Sequence, residues 1–336
     1  MKEEKILLSH GSGGRLSHDL IKKLFLPNFV NDKLSKLDDG AILKTPGTKL
    51  AYSTDSYTVD PLFFPGGNIG LLAVYGTVND LAMCGAKPLY LSCSLIIEEG
   101  FPLSDLEEIV LSMKKACSIA RVDIVTGDTK VVNRGNADKI FINTSGIGVV
   151  KRGVNTSGSN AQVGDLIILN GPIGNHGIAI LSAREGLNFE TTIQSDLAPL
   201  NGLVNEILKY SSDIHVLRDP TRGGLATTLN EIAQSSRVEV EIEEEKIPLE
   251  EEVRAACELL GYDPLYLANE GKLVTFVSPH VAPILLEEMR KNEYGINSKI
   301  IGKVVKKSEG LVYLRTSIGG KRVVDMLTGE QLPRIC

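Results

Sequence analysis

Strand-like and helix-like segments alternate along this chain in two successive sets of similar size, which a polar stretch divides. β-Branched runs such as KLAYSTDSY and KIFINTSGIGVV indicate strands, and apolar residues spaced by three and four, as in PLSDLEEIVLSMKKACSIAR, indicate helices. Between the sets, GVNTSGSNAQVGD is rich in Gly, Ser and Asn and is typical of a linker. Because sheets and helices must bury their apolar faces against one another, the alternation predicts an α+β protein with two mixed sheets covered by helices.

The linker and the two sets of elements divide the 336 residues into two predicted domains with flanking segments. A chain of this length is long enough to bury two separate hydrophobic cores. The predicted parts are an N-terminal glycine-loop segment, an N-terminal domain, the linker, a C-terminal domain and a mobile C-terminal tail, at residues 1–40, 41–152, 153–164, 165–328 and 329–336.

Composition and charge narrow the classes of protein to which the chain can belong. With a net charge of −6 and a pI near 5.5, it lacks the basic surface that nucleic-acid binding requires. No apolar run approaches the roughly 20 residues of a membrane-spanning helix, and the N-terminus does not resemble a signal peptide. The five cysteines are odd in number and contain no CxxC pair, which argues against a disulfide framework or a zinc site. We therefore expect a cytoplasmic protein with no nucleic-acid or membrane partner.

Several aspartates stand at the ends of predicted elements: Asp55, Asp128 and Asp219 each follow a predicted strand, and Asp80 lies late in a predicted helix. An aspartate in such a place is most often a turn former or a helix cap. Loops at strand ends can also bring distant carboxylates together, and Mg²⁺ binds carboxylates together with phosphate oxygens. Because converging carboxylates repel one another, such a cluster would favour a bound cation. The aspartates concerned are Asp39, Asp55, Asp80, Asp128 and Asp219.

Two glycine-rich loops could supply a phosphate-binding part. HGSGGR near the N-terminus and NGPIGNHG after a predicted strand can each wrap backbone N–H groups around an anion, although a plain tight turn explains each loop equally well. His176, in the second loop, is more typical of a hydrogen-bonding residue than of a catalyst. Lys130 and Arg222 follow two of the aspartates closely and could add positive charge against phosphate. Together these features favour a metal–nucleotide site between the two domains. The glycines of the first loop are Gly11, Gly13 and Gly14.

Six short motifs occur in an order that resembles the ATP-binding superfamily of aminoimidazole ribonucleotide synthetase, which includes selenophosphate synthetase and thiamine-monophosphate kinase. They extend over nearly the whole chain, and their order is far more specific than any single motif. The chain also ends on PRIC, which resembles the HypE family of carbamoyl dehydratases. HGSGGR lacks the reactive cysteine that selenophosphate synthetase would require. The six motifs are DDGA, STDSYTVDP, NDLAMCGA, TGDTKVV, RDPTRGG and NEGKL.

The resemblance to HypE implies ATP-dependent dehydration of a carboxamide carried on the sulfur of Cys336, which gives a protein-bound thiocyanate. In this family a carbamoyltransferase partner, HypF, loads the carboxamide. The cyanide then passes to the iron of a [NiFe]-hydrogenase, held by the HypC–HypD complex. ATP and Mg²⁺ are the implied cofactors, and a homodimer formed through the N-terminal domains is the implied assembly.

The resemblance also implies roles for individual residues, with Glu270 as the base that removes protons from nitrogen and Lys130 against the carboxamide oxygen. Taken alone, Glu270 reads equally well as a surface carboxylate and Lys130 as a solvated lysine. The implied catalytic residues are Cys336, Lys130, Glu270 and Asp80. The implied nucleotide and phosphate residues are Gly11, Gly13, Gly14, Asp39, Asp55, Thr129, Arg222 and Gly223. The implied metal ligands are Asp55, Asp80, Asp128 and Asp219.

The end of the chain is predicted to be a tether for Cys336. From Thr328 to Cys336 the chain spans roughly 26 Å when extended, which is enough to carry sulfur into a cleft and out to a partner. Ile335 is expected to be a small apolar anchor. Attack by sulfur requires the thiolate, which Arg334 favours and the terminal carboxylate opposes, so we expect no strongly depressed pKa for Cys336. Activation of the sulfur is then expected to come from the partner.

Two other classes of function stay open on the sequence alone. A non-catalytic nucleotide-sensing adaptor would use the tail only to dock partners and would not require the sulfur of Cys336. An ATP-dependent enzyme acting on a free small molecule would not need the tail, so deletion of PRIC would leave its turnover intact. Replacement of Cys336 by Ser distinguishes the adaptor from the dehydratase.

Overall fold

The computed structural model describes residues 14–29, 31, 33–184, 192–329, 332 and 334–336. Gly11 and Gly13 of the predicted phosphate loop lie outside the described residues. The described N-terminal segment is helical, and its last turn leads into the first strand. It consists of α1 (Arg15–Leu20), a π-helical stretch (Ile21–Phe25), α2 (Leu26–Phe29) and a 3₁₀ turn (Leu34–Lys36).

The first sheet contains five strands from the N-terminal half of the chain: β1 (Ala41–Thr45), β2 (Thr48–Tyr57), β5 (Ala86–Glu98), β6 (Asp123–Val132) and β7 (Ile140–Val150). Their order across the sheet is β1-β2-β7-β5-β6. Only β5 and β6 run parallel, so β6 forms one edge of a mixed sheet. A short hairpin of β3 (Phe63–Phe64) and β4 (Gly67–Asn68) leads from β2 toward the first long helix.

Two helices cover one face of this sheet, α3 (Ile69–Met83) and α4 (Leu103–Ala120). Helix α3 is buried on nearly every side because it packs against β2, β7, α4 and the second domain. It begins at Asn68, whose side-chain oxygen accepts hydrogen bonds from two N–H groups of the first turn and so caps the helix. Helix α4 is amphipathic and buries only the stripe that faces the domain core, at Ile109, Met113, Ala116 and Ala120.

The second sheet contains seven strands: β8 (Leu166–Leu169), β9 (Ile214–Arg218), β10 (Val238–Glu243), β11 (Val274–Val277), β12 (Lys299–Lys307), β13 (Leu311–Arg315) and β14 (Lys321–Val323). Their order is β14-β13-β10-β12-β8-β11-β9, and only β10 and β13 run parallel. Strand β8 is a continuous apolar run (LIIL), and every residue of its neighbour β11 (VTFV) is buried, as expected where both faces of a sheet are covered. The helices of this domain are α5 (Asn175–Ser182), α6 (Asn201–Ile207), α7 (Gly224–Ser236), α8 (Glu251–Leu260) and α9 (Ala282–Arg290).

The two domains share a hydrophobic core and a buried polar link. The end of α3 packs with α6 and α9, and apolar side chains of both domains belong to one buried cluster. At the same place the buried Asn79 side chain donates to the carbonyl oxygens of Ala198 and Glu270, at 3.0 and 3.2 Å, and accepts from the N–H of Leu200. Asn79 precedes Asp80, so this link fixes the segment that carries Glu270 against the helix that carries Asp80.

The predicted α+β class with two mixed sheets is confirmed. The predicted position of two aspartates is wrong, because Asp55 and Asp128 lie within β2 and β6 instead of after a strand. Pairing with β7 and β5 carries both strands on through polar residues that alone would suggest a turn. Within the described ranges, no helix is long and apolar enough to cross a membrane.

Candidate active site

Four of the five predicted aspartates converge where the two domains meet. Asp39 precedes β1, Asp55 lies near the end of β2, Asp80 lies in the last turns of α3, and Asp219 directly follows β9. Burial raises the pKa of Asp80 well above its usual range, and the negative charges of Asp219, Asp55 and Asp39 raise it further. The Ser53 hydroxyl lies 2.5 Å from the Asp80 carboxylate and opposes this shift in pKa by donating a hydrogen bond. The cluster therefore concentrates negative charge in a water-poor site, where a cation would be stabilised.

Asp39 is fixed by an ion pair with Arg218, whose Nε lies 2.6 Å from a carboxylate oxygen. Burial raises the pKa of Asp39 well above its usual range, against the lowering effect of Arg218. The same guanidinium contacts Glu231 at 2.6 Å, and Glu231 contacts His18 of α1 at 2.7 Å. This chain of polar contacts ties the N-terminal helix to the strand that precedes Asp219.

Glu270 is held from its backbone, and its carboxyl group is buried. Its N–H donates to Asp196 at 3.0 Å, and Asp196 forms an ion pair of 3.0 Å with Lys272. The intervening Gly271 is required because a Cβ there would lie 1.8 Å from the carbonyl oxygen of Asp196. Burial raises the pKa of Glu270 well above its usual range, and the Asp196 charge adds to the shift. Its Oε1 has no hydrogen-bond partner within the described part of the chain.

The C-terminal tail lies docked against both domains. A main-chain oxygen of Cys336 and the carbonyl oxygen of Arg334 accept hydrogen bonds from the N–H groups of Thr58 and Asp60, at 3.2 and 3.1 Å. Ile335 is buried in the core of the N-terminal domain, which confirms its predicted role as an anchor. Arg334 contacts Asp138 and donates to the Thr58 carbonyl. The tail residues that the structure describes are therefore held by main-chain hydrogen bonds, by the Arg334 side chain and by the apolar side chains of Leu332 and Ile335.

This docking places Cys336 among the predicted catalytic groups. Burial raises the pKa of its thiol to about 12, with Arg222 opposing the shift and Glu270 and Asp55 adding to it. The prediction of no strongly depressed pKa for the Cys336 thiol is confirmed, but its main cause is burial, and the nearby guanidinium is that of Arg222 instead of Arg334, which pairs with Asp138. The Arg222 guanidinium lies 3.5 Å from Asp55, and the Cys336 charge is the main cause that raises the pKa of Arg222.

Three predicted residues lie apart from this cluster within one chain. Asp128, Thr129 and Lys130 are exposed on edge strand β6. Across the sheet, Asp55 is opposite a residue of β7, then one of β5, then Gly127, so β6 is three strands away, or roughly 14 Å at the usual strand spacing. Lys130 forms a 3.1 Å ion pair with Asp128, and its hydrogen bond lowers the pKa of that carboxylate. Their catalytic, phosphate and metal roles stay predictions.

The described glycines of the predicted phosphate site also differ in position. Gly223 is the left-handed residue, with φ of +77°, at which α7 begins, so the N-terminus of that helix lies beside Asp219 and Arg222. Gly14 packs against residue 327, because a Cβ there would lie 2.3 Å from the carbonyl oxygen of Leu327. A structural contact with the end of the C-terminal domain thus accounts for Gly14, and its phosphate role stays a prediction.

The aspartate cluster fits a magnesium–nucleotide complex better than a metal cage made of protein ligands alone. No group of three or more His, Cys, Asp or Glu residues among those described has the geometry to hold a metal by itself. The carboxylate of Asp39 is already paired with the guanidinium of Arg218. Mg²⁺ usually keeps waters and takes one or two carboxylates together with substrate phosphates, which the cluster of Asp55, Asp80 and Asp219 permits, and their metal role stays a prediction.

Several residues that build the site were not predicted. Ser53, Thr58, Asp196 and Arg218 each contact a predicted residue or the tail. These partners are far apart in sequence, so no local pattern reveals them. Arg218 had an available signal in the motif RDPTRGG, and Ser53 and Thr58 had one in STDSYTVDP, whereas Asp196 lies outside the six motifs.

Comparison with known proteins agrees with this arrangement. The family model for the N-terminal domain of AIR synthase related proteins matches residues 37–150, and that for the C-terminal domain matches residues 162–314. The chain is 52% identical over 337 residues to the carbamoyl dehydratase HypE of Cupriavidus necator, with 100% of this chain and 96% of that protein covered. It is 53% identical over 333 residues to the carbamoyl dehydratase HypE of Rhizobium leguminosarum bv. viciae, with 99% and 95% covered.

Solved structures give the same result. The structure of a HypE–HypF complex matches with a TM-score of 0.88 at 52% identity, over 92% of this chain and 99% of that chain. A structure of HypE in complex with ATP matches with a TM-score of 0.82 at 52% identity, over 99% and 100%. The predicted relationship is confirmed. The chain belongs to the HypE carbamoyl dehydratases, within the AIR synthase related family.

Proposed function

We propose that this protein dehydrates a carboxamide carried on its own Cys336 at the expense of ATP, and so supplies the cyanide ligand of [NiFe]-hydrogenase iron. The observation that carries the proposal is the position of Cys336, whose thiol shares one site with Glu270, Arg222 and Asp55. The end of the chain thus occupies its own active site as a substrate would. The structure of a HypE in complex with ATP, from a protein 52% identical, supports ATP as the co-substrate.

The proposed chemistry solves the problem of a poor leaving group. A primary amide does not lose water at neutral pH, because oxide leaves very poorly. Transfer of the γ-phosphoryl group of ATP to the carboxamide oxygen releases ADP and makes phosphate the leaving group. Nitrogen loses one proton as this intermediate forms and a second as the C–O bond breaks and the C≡N bond forms. The products on the protein and in solution are an S-cyanide and phosphate.

Glu270 is the proposed base for the loss of protons from nitrogen. Burial and the neighbouring Asp196 raise the pKa of Glu270, so its carboxylate is a stronger proton acceptor than an exposed glutamate. Arg222, beside Cys336 and Asp55, is proposed to stabilise negative charge that develops on the transferred phosphoryl group. Mg²⁺ bound with ATP would neutralise phosphate charge, and Asp55, Asp80 and Asp219 are the residues proposed to hold it.

A homodimer through the N-terminal domains is proposed because one chain leaves β6 unpartnered. Val125 and Val131 of this edge strand are 60% and 67% exposed, and Tyr52, Ile147 and Tyr90 form an exposed row across the open face of the sheet. An apolar sheet face and edge of this kind are typical of an interface. A second copy would cover them. The second copy could also bring its Lys130 to the candidate active site, which lies three strands from Lys130 of the same chain.

The proposed partners are a HypF carbamoyltransferase, which loads the tail, and a HypC–HypD complex, which receives the cyanide. The solved complex of a related HypE with HypF supports the first partner. Loading needs the thiolate, whereas burial raises the pKa of docked Cys336 to about 12, so the tail must leave the site to be loaded. The proposed compartment is the cytoplasm, since all five cysteines are free thiols.

Intact-mass measurement tests the proposed function. The protein is incubated with the carbamoyltransferase and carbamoyl phosphate, and ATP is then added. The proposal expects a mass gain of one carbamoyl group in place of a hydrogen, followed by loss of one water. Cys336→Ser should show neither change while it still binds ATP, which excludes both an adaptor and an enzyme acting on a free small molecule. A loaded wild-type protein that keeps its full carbamoyl mass after ATP addition refutes the proposal.

A further inference from the structure

The main-chain oxygens of the last three residues accept most of the hydrogen bonds that hold the tail. The main-chain oxygens of Arg334 and Cys336 accept hydrogen bonds from the N–H groups of Asp60 and Thr58, which follow β2. Arg184 donates to the Arg334 carbonyl as well, at 3.1 Å. The carbonyl oxygen between them, of Ile335, lies 2.8 Å from Nε2 of His176. His176 belongs to the C-terminal domain, so residues of both domains hydrogen-bond to the tail.

The surroundings of His176 give its imidazole a single arrangement. The ring is fully buried in the first turn of α5, lies edge-on to Phe64 with 5.6 Å between centroids, and has Nδ1 2.8 Å from the Ser195 hydroxyl. A carbonyl can only accept, so Nε2 carries the hydrogen that is donated to Ile335, and Nδ1 accepts from Ser195. Burial lowers the pKa of His176, which keeps the ring neutral and this tautomer populated.

The same imidazole adjoins the proposed base. Nε2 of His176 lies 4.0 Å from Oε1 of Glu270, the buried oxygen that has no hydrogen-bond partner within the described residues. His176 therefore stands between the last peptide carbonyl before Cys336 and the carboxylate that acts on the carboxamide. Displacing the tail by even one ångström at this carbonyl would move the reacting nitrogen relative to Glu270, and such displacements cost large factors in rate.

We propose that His176 is a positioning residue that seats the C-terminal tail, with its imidazole hydrogen-bonded to Ser195 and to the Ile335 carbonyl, so that the carboxamide on Cys336 lies against Glu270. The seating of the tail is a property of the unloaded protein, whereas its effect on dehydration rests on the proposed function. His176 contacts no reacting atom in this arrangement. Its effect is exerted through the tail.

The test compares alkylation of Cys336 by iodoacetamide in unloaded wild type, His176→Phe and His176→Gln, without partner proteins. Phe keeps the ring but cannot donate to the Ile335 carbonyl, and its variant should be alkylated roughly 3- to 10-fold faster, as expected for one lost hydrogen bond. Gln offers an amide N–H in place of Nε2 and should restore protection. Cys84 and Cys257, which are buried elsewhere, should react equally slowly in all three proteins.

A second readout follows dehydration of the loaded tail in a single turnover at saturating ATP. It should slow in His176→Phe and recover in His176→Gln, while ATP affinity is unchanged in both. If His176→Phe does not fold, His176→Asn, which is too short to reach the Ile335 carbonyl, takes its place. Equal alkylation of Cys336 in wild type and His176→Phe, or no recovery with Gln, overturns the proposal. If protection depends on His176 but loaded wild type never loses water, the proposed function fails and only the seating role is supported.

Discussion

Replacing Glu270 by Gln should stabilise the fold and abolish the proposed reaction. Burial and neighbouring carboxylates raise the pKa of Glu270 in the folded state, whereas in the unfolded chain a Glu titrates near about 4.3. Between these two pKa values the folded state holds a proton that the unfolded state has released. As the pH rises through this range, the free energy of unfolding of the wild type therefore falls by about 1.4 kcal/mol per pH unit relative to that of the variant, because Gln does not titrate. Above the folded-state pKa the difference is constant and the variant is the more stable protein.

Urea unfolding of both proteins from about pH 5 to about pH 8.5 measures this difference. Glu309→Gln, at an exposed position, is the matched control. In the mass assay, Glu270→Gln should accumulate the carbamoylated form, with dehydration slowed by about 10²- to 10⁴-fold as expected for loss of a general base. A stability difference that grows as the pH falls, or a variant that dehydrates at the wild-type rate, would refute the reasoning.

Three further predictions follow from burial and exposure. Because burial raises the pKa of Cys336 to about 12 and the released tail is the form that reacts readily, its alkylation near pH 8 should be slower than that of a free peptide ending in the same residues, by up to about 10²-fold, and equal rates would show that the tail is not docked. Val131→Asp on β6 should shift the protein toward monomer in light scattering, whereas Ile318→Asp, 93% exposed on the other domain, should not. Leu72→Ala should lower the free energy of unfolding by about 2–5 kcal/mol in urea titrations because it leaves a cavity in the N-terminal core, whereas Leu103→Ala, which is 78% exposed, should change it by less than about 0.5 kcal/mol.

The sequence indicates the fold well because each element carries its own apolar period. The strict alternation of buried residues in β7 and the narrow buried stripe of α4 are both visible in the residues themselves. The extension of β2 and β6 through Asp55 and Asp128 is not visible, because polar residues that favour turns are kept extended there by pairing with neighbouring strands. Burial of Ile335 was predictable from its isolated apolar character at the end of the chain.

The candidate site is predictable only in part. Asp55 and Asp80 carry recognisable motifs, and their convergence follows from the ends of the elements that bear them. The contacts that hold the site together are not visible in the sequence, because Ser53 lies 27 residues from Asp80 and His176 lies 159 residues from the carbonyl to which it donates. The first contact is set by the packing of α3 on its sheet, and the second by the docking of the tail against the C-terminal domain. A single sequence contains no periodic signal for either arrangement.

Docking of the tail is balanced closely enough to be reversible. Four hydrogen bonds to main-chain oxygens of the tail contribute about 1 kcal/mol each, and burial of Ile335 contributes about 2 kcal/mol, for a gain of about 6 kcal/mol. Ordering three residues from a free chain costs about 1–2 kcal/mol each, or about 3–6 kcal/mol in all. The docked state is then favoured by no more than about 3 kcal/mol, or roughly 10²-fold. Loading requires a thiolate that the docked state suppresses, and dehydration requires the groups that only the docked state supplies. A tail whose docking is favoured only by the free energy of a few hydrogen bonds can both leave the site for loading and return to it for dehydration. The loss of one such bond, at His176, should therefore be measurable.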